Sequence, residues 1–210
     1  KKMYARQMEA AAAALTEADY EIGRIIATME RTGQLDNTLI FVTSDNGSSG
    51  EGGLEGSHNE MLVLNGIGLT PHEENMKFYE QWGTAETDNH YHAGWAAAGN
   101  TPYKYFKQTV HNGGMTDALI VHWPKGIKAK GEIRTQFHHL IDIVPTIMDV
   151  SGVGFQKEVE GVEQMPFDGV SMKYSFDDAK APTTHPVQYF EQLGSRAIVD
   201  NEWKAVALHG

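Results

Sequence analysis

The sequence predicts an α/β fold that ends in antiparallel strands. Three observations carry this. A long amphipathic helical pattern runs into a short apolar, β-branched segment at residues 38–43. A second segment of that kind follows at 118–123. The last quarter alternates weakly around a turn at Asp200-Asn201-Glu202. A length of 210 residues suffices to bury a sizeable core, and a composition of 40% hydrophobic and 21% charged residues is that of an ordinary globular chain.

The first element is a helix over roughly residues 3–31, because Tyr4, Met8, Ala12, Leu15, Ile22, Ile26 and Met29 recur at spacings of three and four. Gly33 supplies its stop. Asp36-Asn37 turn the chain into Thr38–Thr43, whose faces are both apolar, as in a central strand covered on both sides. Ser44-Asp45-Asn46-Gly47 ends the strand, and a loop rich in Gly, Ser and Glu follows to about Asn59. Residues 60–100 carry scattered aromatics and read as an excursion of short helices with little sheet. Ala118–Trp123 reads as a second buried strand, stopped by Pro124-Lys125-Gly126. Leu140–Val150 reads as a helix with Asp142 near its start, Pro145 in its first turn and Gly152 after its end. Residues 153–186 read as a loop-rich connection. Val187–Glu191 then forms a strand, and 196–199 with 203–208 form a hairpin.

Composition excludes several chemistries. With no cysteine, the chain holds no disulfide, no thiolate metal site and no cysteine nucleophile. A formal charge of −11 opposes non-specific nucleic-acid binding. No apolar run approaches the roughly 20 residues of a membrane-spanning helix.

Asp45 and Asn46 are the best local candidates for chemistry. They sit at the carboxyl end of a strand, where open α/β sheets place ligands. A carboxylate and an amide oxygen are hard donors suited to Ca²⁺, with Mg²⁺ the lesser fit. The same residues also make an ordinary Asn-Gly turn. Asn46-Gly47-Ser48 is a glycosylation sequon, read here as chance. Lys107 and His111, four apart and ahead of Gly113-Gly114, form a second candidate that could clamp an oxyanion. The alternative is an exposed lysine and an ordinary polar histidine. His72-Glu73-Glu74-Asn75-Met76 breaks the HExxH zinc pattern at its last position, and Gly50–Gly56 lacks the Gly-Lys-Ser/Thr ending of a P-loop.

An ordered set of segments resembles the C-terminal half of a type I sulfatase, an arylsulfatase-like member of the alkaline-phosphatase superfamily. The set comprises Tyr4–Met8 with Asp19 and Gly23-Arg24, then Leu35–Gly47, then Gly94-Trp95-Ala96, Asn100–Tyr103 and Phe106-Lys107 with Gly113-Gly114. It continues through Ala118–Pro124, His139–Gly152, Gln188–Glu191, Gly194–Ile198 and Trp203–Ala205. The resemblance implies an alkaline-phosphatase-like central sheet, mixed and mostly parallel, flanked by helices and followed by a small C-terminal antiparallel sheet. Residues 1–152 would belong to the catalytic α/β domain, and 153–210 to the connection and the start of the small subdomain.

By the same resemblance, Asp45 and Asn46 match late ligands of a catalytic calcium, and Lys107 matches a sulfate-binding lysine. The nucleophile of the family is a formylglycine made from Cys or Ser in a C/S-x-P-x-R segment. None of the serines here lies in S-x-P-x-R. The nucleophile and the early ligands are therefore expected in an N-terminal half outside these residues, which would be a partner of this chain. Alone, the chain is expected to be inactive and prone to self-association through exposed sheet edges. A sulfate-ester small molecule or sulfated sugar is the implied substrate, and a periplasmic or extracellular location is implied by the family. A phosphatase or phosphodiesterase of the same superfamily, or an inactive metal-binding scaffold, are the alternatives.

Overall fold

The computed structural model describes residues 1–209. Helix α1 spans Lys2–Arg31. Its stop is the one the sequence predicts. Gly33 takes a left-handed φ of 69°, its N–H donates to Glu30, and Gln34 N–H donates to Met29, which together satisfy the last carbonyls. The first two turns of α1 are anchored. Met3 and Gln7 are buried. Gln7 Nε2 donates to the Glu55 carbonyl at 2.7 Å, while its Oε1 accepts from His92 N–H at 3.1 Å. Further along, the predicted apolar stripe is less covered, with Leu15 72% exposed.

Strand β1 covers Ile40–Thr43, two residues shorter than the run suggests. Thr38 is consumed by the preceding 3₁₀ turn, where its N–H donates to Leu35 and its hydroxyl to Gln34. Strand β2, Leu119–His122, pairs with β1 in antiparallel register, Ile40 opposite His122 and Thr43 opposite Leu119. The expectation of strands covered on both sides is corrected here. β1 and β2 pair only with each other among the described residues, and Ile120 is 62% exposed. Their apolar composition exceeds what the described residues cover.

Between the strands lie α2 (Met61–Leu64), α3 (His72–Lys77), α4 (Ala93–Gly99) and α5 (Asn112–Met115). This excursion is held by Trp82 and Ala96, both fully buried, and by buried Asn75. Asn75 Oδ1 accepts from His58 N–H at 3.0 Å, and its Nδ2 donates to the Gly56 carbonyl at 3.0 Å.

The predicted helix at 140–150 starts as a 3₁₀ turn, Leu140–Asp142, and becomes α6 over Ile143–Ser151. A reciprocal cap explains the change: Asp142 Oδ2 accepts from His139 N–H, and His139 Nδ1 accepts from Ile141 N–H. Pro145 falls in the first turn of α6, where its absent N–H costs nothing. Residues 153–186 hold a small hairpin, β3 (Glu158–Val159) with β4 (Val162–Glu163), and a 3₁₀ turn at Met172–Ser175. The chain ends in an antiparallel sheet ordered β5 (Val187–Gln192), β6 (Ser195–Asp200), β7 (Trp203–Ala207). Leu193 and Gly194 make the first turn with φ of 50° and 79°, and Asn201 opens the second at 54°.

Candidate active site

The loop leaving β1 is zipped to two other segments by backbone bonds. Gly47 N–H donates to the Gly114 carbonyl at 3.2 Å, and Lys107 N–H donates to the Ser48 carbonyl at 3.0 Å. Asn100 joins the third edge: its Oδ1 accepts from Ser48 N–H, and its Nδ2 donates to the Tyr105 carbonyl. Glycine is required where these segments touch. A Cβ on Gly47 would lie 1.8 Å from the Gly113 carbonyl oxygen, and one on Gly114 would lie 2.3 Å from that of Thr109. The paired glycines therefore let the Lys107 loop close against the end of β1.

This closure leaves a cleft of about 540 Å³, whose walls include Ser44, Asn46, Ser49, Asn100 and Asp117. Asn46 is half-buried, and its Nδ2 donates to the Gly47 carbonyl at 3.0 Å. Its Oδ1 is left without a hydrogen-bond partner among the described residues. Asp45 is exposed, and its carboxylate likewise accepts no hydrogen bond among them. Asp117 reaches the same region. Burial, and then the charge of Asp45, push its carboxyl above the usual range. Two carboxylates that feel each other beside an unengaged amide oxygen suit a hard divalent cation. They do not complete a cage: no group of three or more His, Cys, Asp or Glu side chains is arranged for a metal among the described residues.

Lys107 is half-buried, and its Nζ donates to Glu51 Oε2 at 3.0 Å. That hydrogen bond holds the ammonium above its usual pKa, against some desolvation, with the charges of Glu51, Asp45 and Glu60 adding to it. Lys107 is thus a cation within reach of the Asp45 field. Its backbone is bonded to the loop carrying the cleft wall.

His111 has different surroundings. It precedes α5, its ring stacks on Tyr105 at 4.6 Å, and no hydrogen bond joins it to Lys107. Burial, then Lys204 and Lys104, lower its pKa, so the ring is uncharged at neutral pH. The structure therefore brings Asp45, Asn46 and Lys107 into one assembly of loops and sets His111 at the start of α5, against Tyr105. Sequence reasoning did not bring Glu51 or Asp117 to this assembly. Glu51 stands 56 residues from Lys107 and Asp117 stands 72 from Asp45 in sequence, and no local spacing marks either as a neighbour.

Comparisons with known proteins follow the same outline. The sulfatase family model matches residues 1–153. An uncharacterised sulfatase of Schizosaccharomyces pombe is 31% identical over 157 residues, covering 73% of this chain and 26% of its own length. An arylsulfatase of Klebsiella aerogenes is 27% identical over 180 residues, covering 81% and 35% respectively. Among solved structures, Ps i-CgsB in complex with k-i-k-neocarrahexaose superposes with a TM-score of 0.57 at 22% identity, over 90% of this chain and 32% of that one. The PsFucS1 sulfatase from Pseudoalteromonas sp. gives 0.53 at 21%, over 94% and 34%. These neighbours place the mixed α/β body and small antiparallel sheets in the alkaline-phosphatase-like fold of sulfatases. The chain spans about a quarter to a third of the length of the curated relatives it matches. Its matched segment contains β1, the Asp45-Asn46 loop and the Lys107 loop, and on that match the chain belongs to the sulfatase family.

Proposed function

We propose that this chain supplies part of the active site of a sulfuric ester hydrolase: two ligands of a calcium ion, Asp45 and Asn46, and a sulfate-binding cation, Lys107. The observation that carries the reading is the pairing of the Asp45-Asn46 loop with the Lys107 loop through Gly47–Gly114 and Lys107–Ser48. Family membership supports the reaction class. When bound, Ca²⁺ would supply a fixed positive charge to a sulfate oxygen. The chain's own residues do the rest. Asp45 offers an anionic oxygen and Asn46 a neutral one, its amide oriented by the bond from Nδ2 to Gly47. Lys107 sets an ammonium against the anionic sulfate group and offsets its charge as the ester bond breaks. The attacking group is proposed to come from an N-terminal part of a longer protein, with residues 1–152 as the later portion of its catalytic domain and 153–210 leading into a small subdomain.

A sulfated sugar is the proposed substrate class. Support comes from a neighbour in complex with a neocarrahexaose and from another described in the metabolism of multiple glycosaminoglycans. His111 is proposed as a neutral wall of the Lys107 loop. Export to the periplasm or the exterior is proposed from the family; among the described residues, no helix is long and apolar enough to cross a membrane. The test is hydrolysis by the longer protein of an aryl sulfate against the matching aryl phosphate. Preference for the sulfate supports the reading. Preference for the phosphate would move the protein to the phosphatase branch of the superfamily.

A further inference from the structure

Lys107 does not stand alone. Its Nζ donates to Glu51 Oε2 at 3.0 Å, and the same oxygen accepts from Ser49 Oγ at 2.8 Å. The other carboxylate oxygen accepts from Gln108 Nε2 at 2.7 Å. Behind Ser49, its hydroxyl lies 2.8 Å from His90 Nε2, and His90 Nδ1 lies 2.8 Å from the Tyr91 carbonyl. His90 is 9% exposed, and Gly52 packs its backbone against the Tyr91 carbonyl, which a Cβ would approach to 2.3 Å. The chain of groups is therefore built in from the interior outward.

Proton counting gives the chain a direction. The Tyr91 carbonyl only accepts, so His90 Nδ1 donates to it. Glu51 Oε2, as a carboxylate, only accepts, so Ser49 donates its single hydrogen there. The Ser49–His90 contact is then a hydrogen bond only if His90 Nε2 also donates. With a neutral ring, Ser49 serves either Glu51 or His90.

We infer that Glu51, backed by Ser49 and His90, is a positioning residue for Lys107. It holds the ammonium in one direction beside the Ser48-Ser49 wall of the cleft and keeps it paired until an anionic group takes its place. This inference rests on the sulfate-binding reading of Lys107. The carboxylates facing the lysine are Glu51, Asp45 and Glu60, and Lys107 and the His90 ring face Glu51. The Glu51 carboxylate is the only one of these bonded to the ammonium. Gln108 reaches it with a left-handed φ of 74°, a conformation that a glutamine adopts only under constraint.

The test is competitive acylation of the purified 210-residue chain with an amine-reactive ester across pH, read peptide by peptide by mass spectrometry. Lys77, paired with Glu74 on α3, is the internal reference. Glu51→Gln keeps size and removes charge; Lys107 should then acylate several-fold faster relative to Lys77, because the amine loses the charged partner that holds its proton. Ser49→Ala should give a smaller rise in the same direction, and Glu51→Asp a rate near wild type. A Lys107 rate unchanged in Glu51→Gln overturns the assignment. If that variant unfolds, Glu51→Asp decides instead, and in it a Lys107 rate equal to that of the exposed Lys130 overturns the assignment. An unchanged rate in Ser49→Ala overturns the relay behind Glu51. These outcomes need no sulfatase assay. A longer protein without sulfatase activity would therefore refute the reading of the site while leaving the Glu51–Lys107 result intact.

Discussion

Replacing Gly113 by alanine drives a methyl group into backbone from two directions. The new Cβ would lie 2.1 Å from the Tyr105 carbonyl oxygen and 2.4 Å from that of Lys104, where ordinary contact begins near 3.4 Å. Neither obstacle is a flexible side-chain end, so the loop must retreat by about an ångström, an overpacking that costs about 1–3 kcal/mol. The retreat pulls on two bonds, Gly113 N–H to Lys104 and Gly47 N–H to Gly114. At about 1 kcal/mol each, their weakening brings the total to about 3–5 kcal/mol. The assay is urea denaturation of the chain followed by tryptophan fluorescence. With a slope near 2 kcal/mol/M, the midpoint should fall by about 2 M. Gly23→Ala is the control. Gly23 lies within α1 with nothing within 4 Å of a Cβ, so the substitution should stabilise by about 0.5–1 kcal/mol. A Gly113→Ala midpoint within about 0.3 M of wild type would refute the idea that backbone contact at the paired glycines closes the site.

Lys204 on β7 donates to Asn112 Oδ1 at 2.7 Å, and burial pulls its pKa down to about 8. The folded state therefore binds its proton less well than the unfolded state, and stability should rise with pH between about 8 and 10.5 relative to Lys204→Met. The full displacement corresponds to roughly 3 kcal/mol at 1.36 kcal/mol per pH unit, and the half-exposed setting reduces this to about 1–2 kcal/mol. Parallel stability curves for the two proteins would contradict it. Asp142 is fully buried and accepts from His139 N–H, Val170 N–H and His185 Nδ1. Asp142→Ala orphans all three donors and should cost about 3–5 kcal/mol in the same urea assay, whereas a loss below about 1 kcal/mol would show the network to be dispensable.

Legibility from sequence followed the range of the interaction. Gly33, Gly152 and the Asp200–Glu202 turn were readable because a positive φ or a tight reversal is written in the residue that makes it. The bounds of α1 and the three C-terminal strands followed from periodicity. β1 and β2 were readable as strands, but their partial exposure was not, because an apolar strand says nothing about which layers cover it. Asp45, Asn46 and Lys107 were readable as donor and cation chemistry. Their assembly was not, since it depends on Gly47 meeting Gly114 and Ser48 meeting Lys107 across more than fifty residues. Glu51 carried no local signal; its role beside Lys107 depends on the same fold-back. His111 shared sequence spacing with Lys107 yet not its surroundings, because the turn into α5 carries the ring toward Tyr105.

The central claim is that Lys107 and the Asp45-Asn46 loop form one sulfate site. Its most direct measurement is steady-state hydrolysis of an aryl sulfate by the longer protein carrying Lys107→Ala, beside the unsubstituted protein. Loss of one fixed positive charge from the reacting group should lower kcat by about 10²-fold or more. Unchanged kinetics would remove Lys107 from the site and contradict the account.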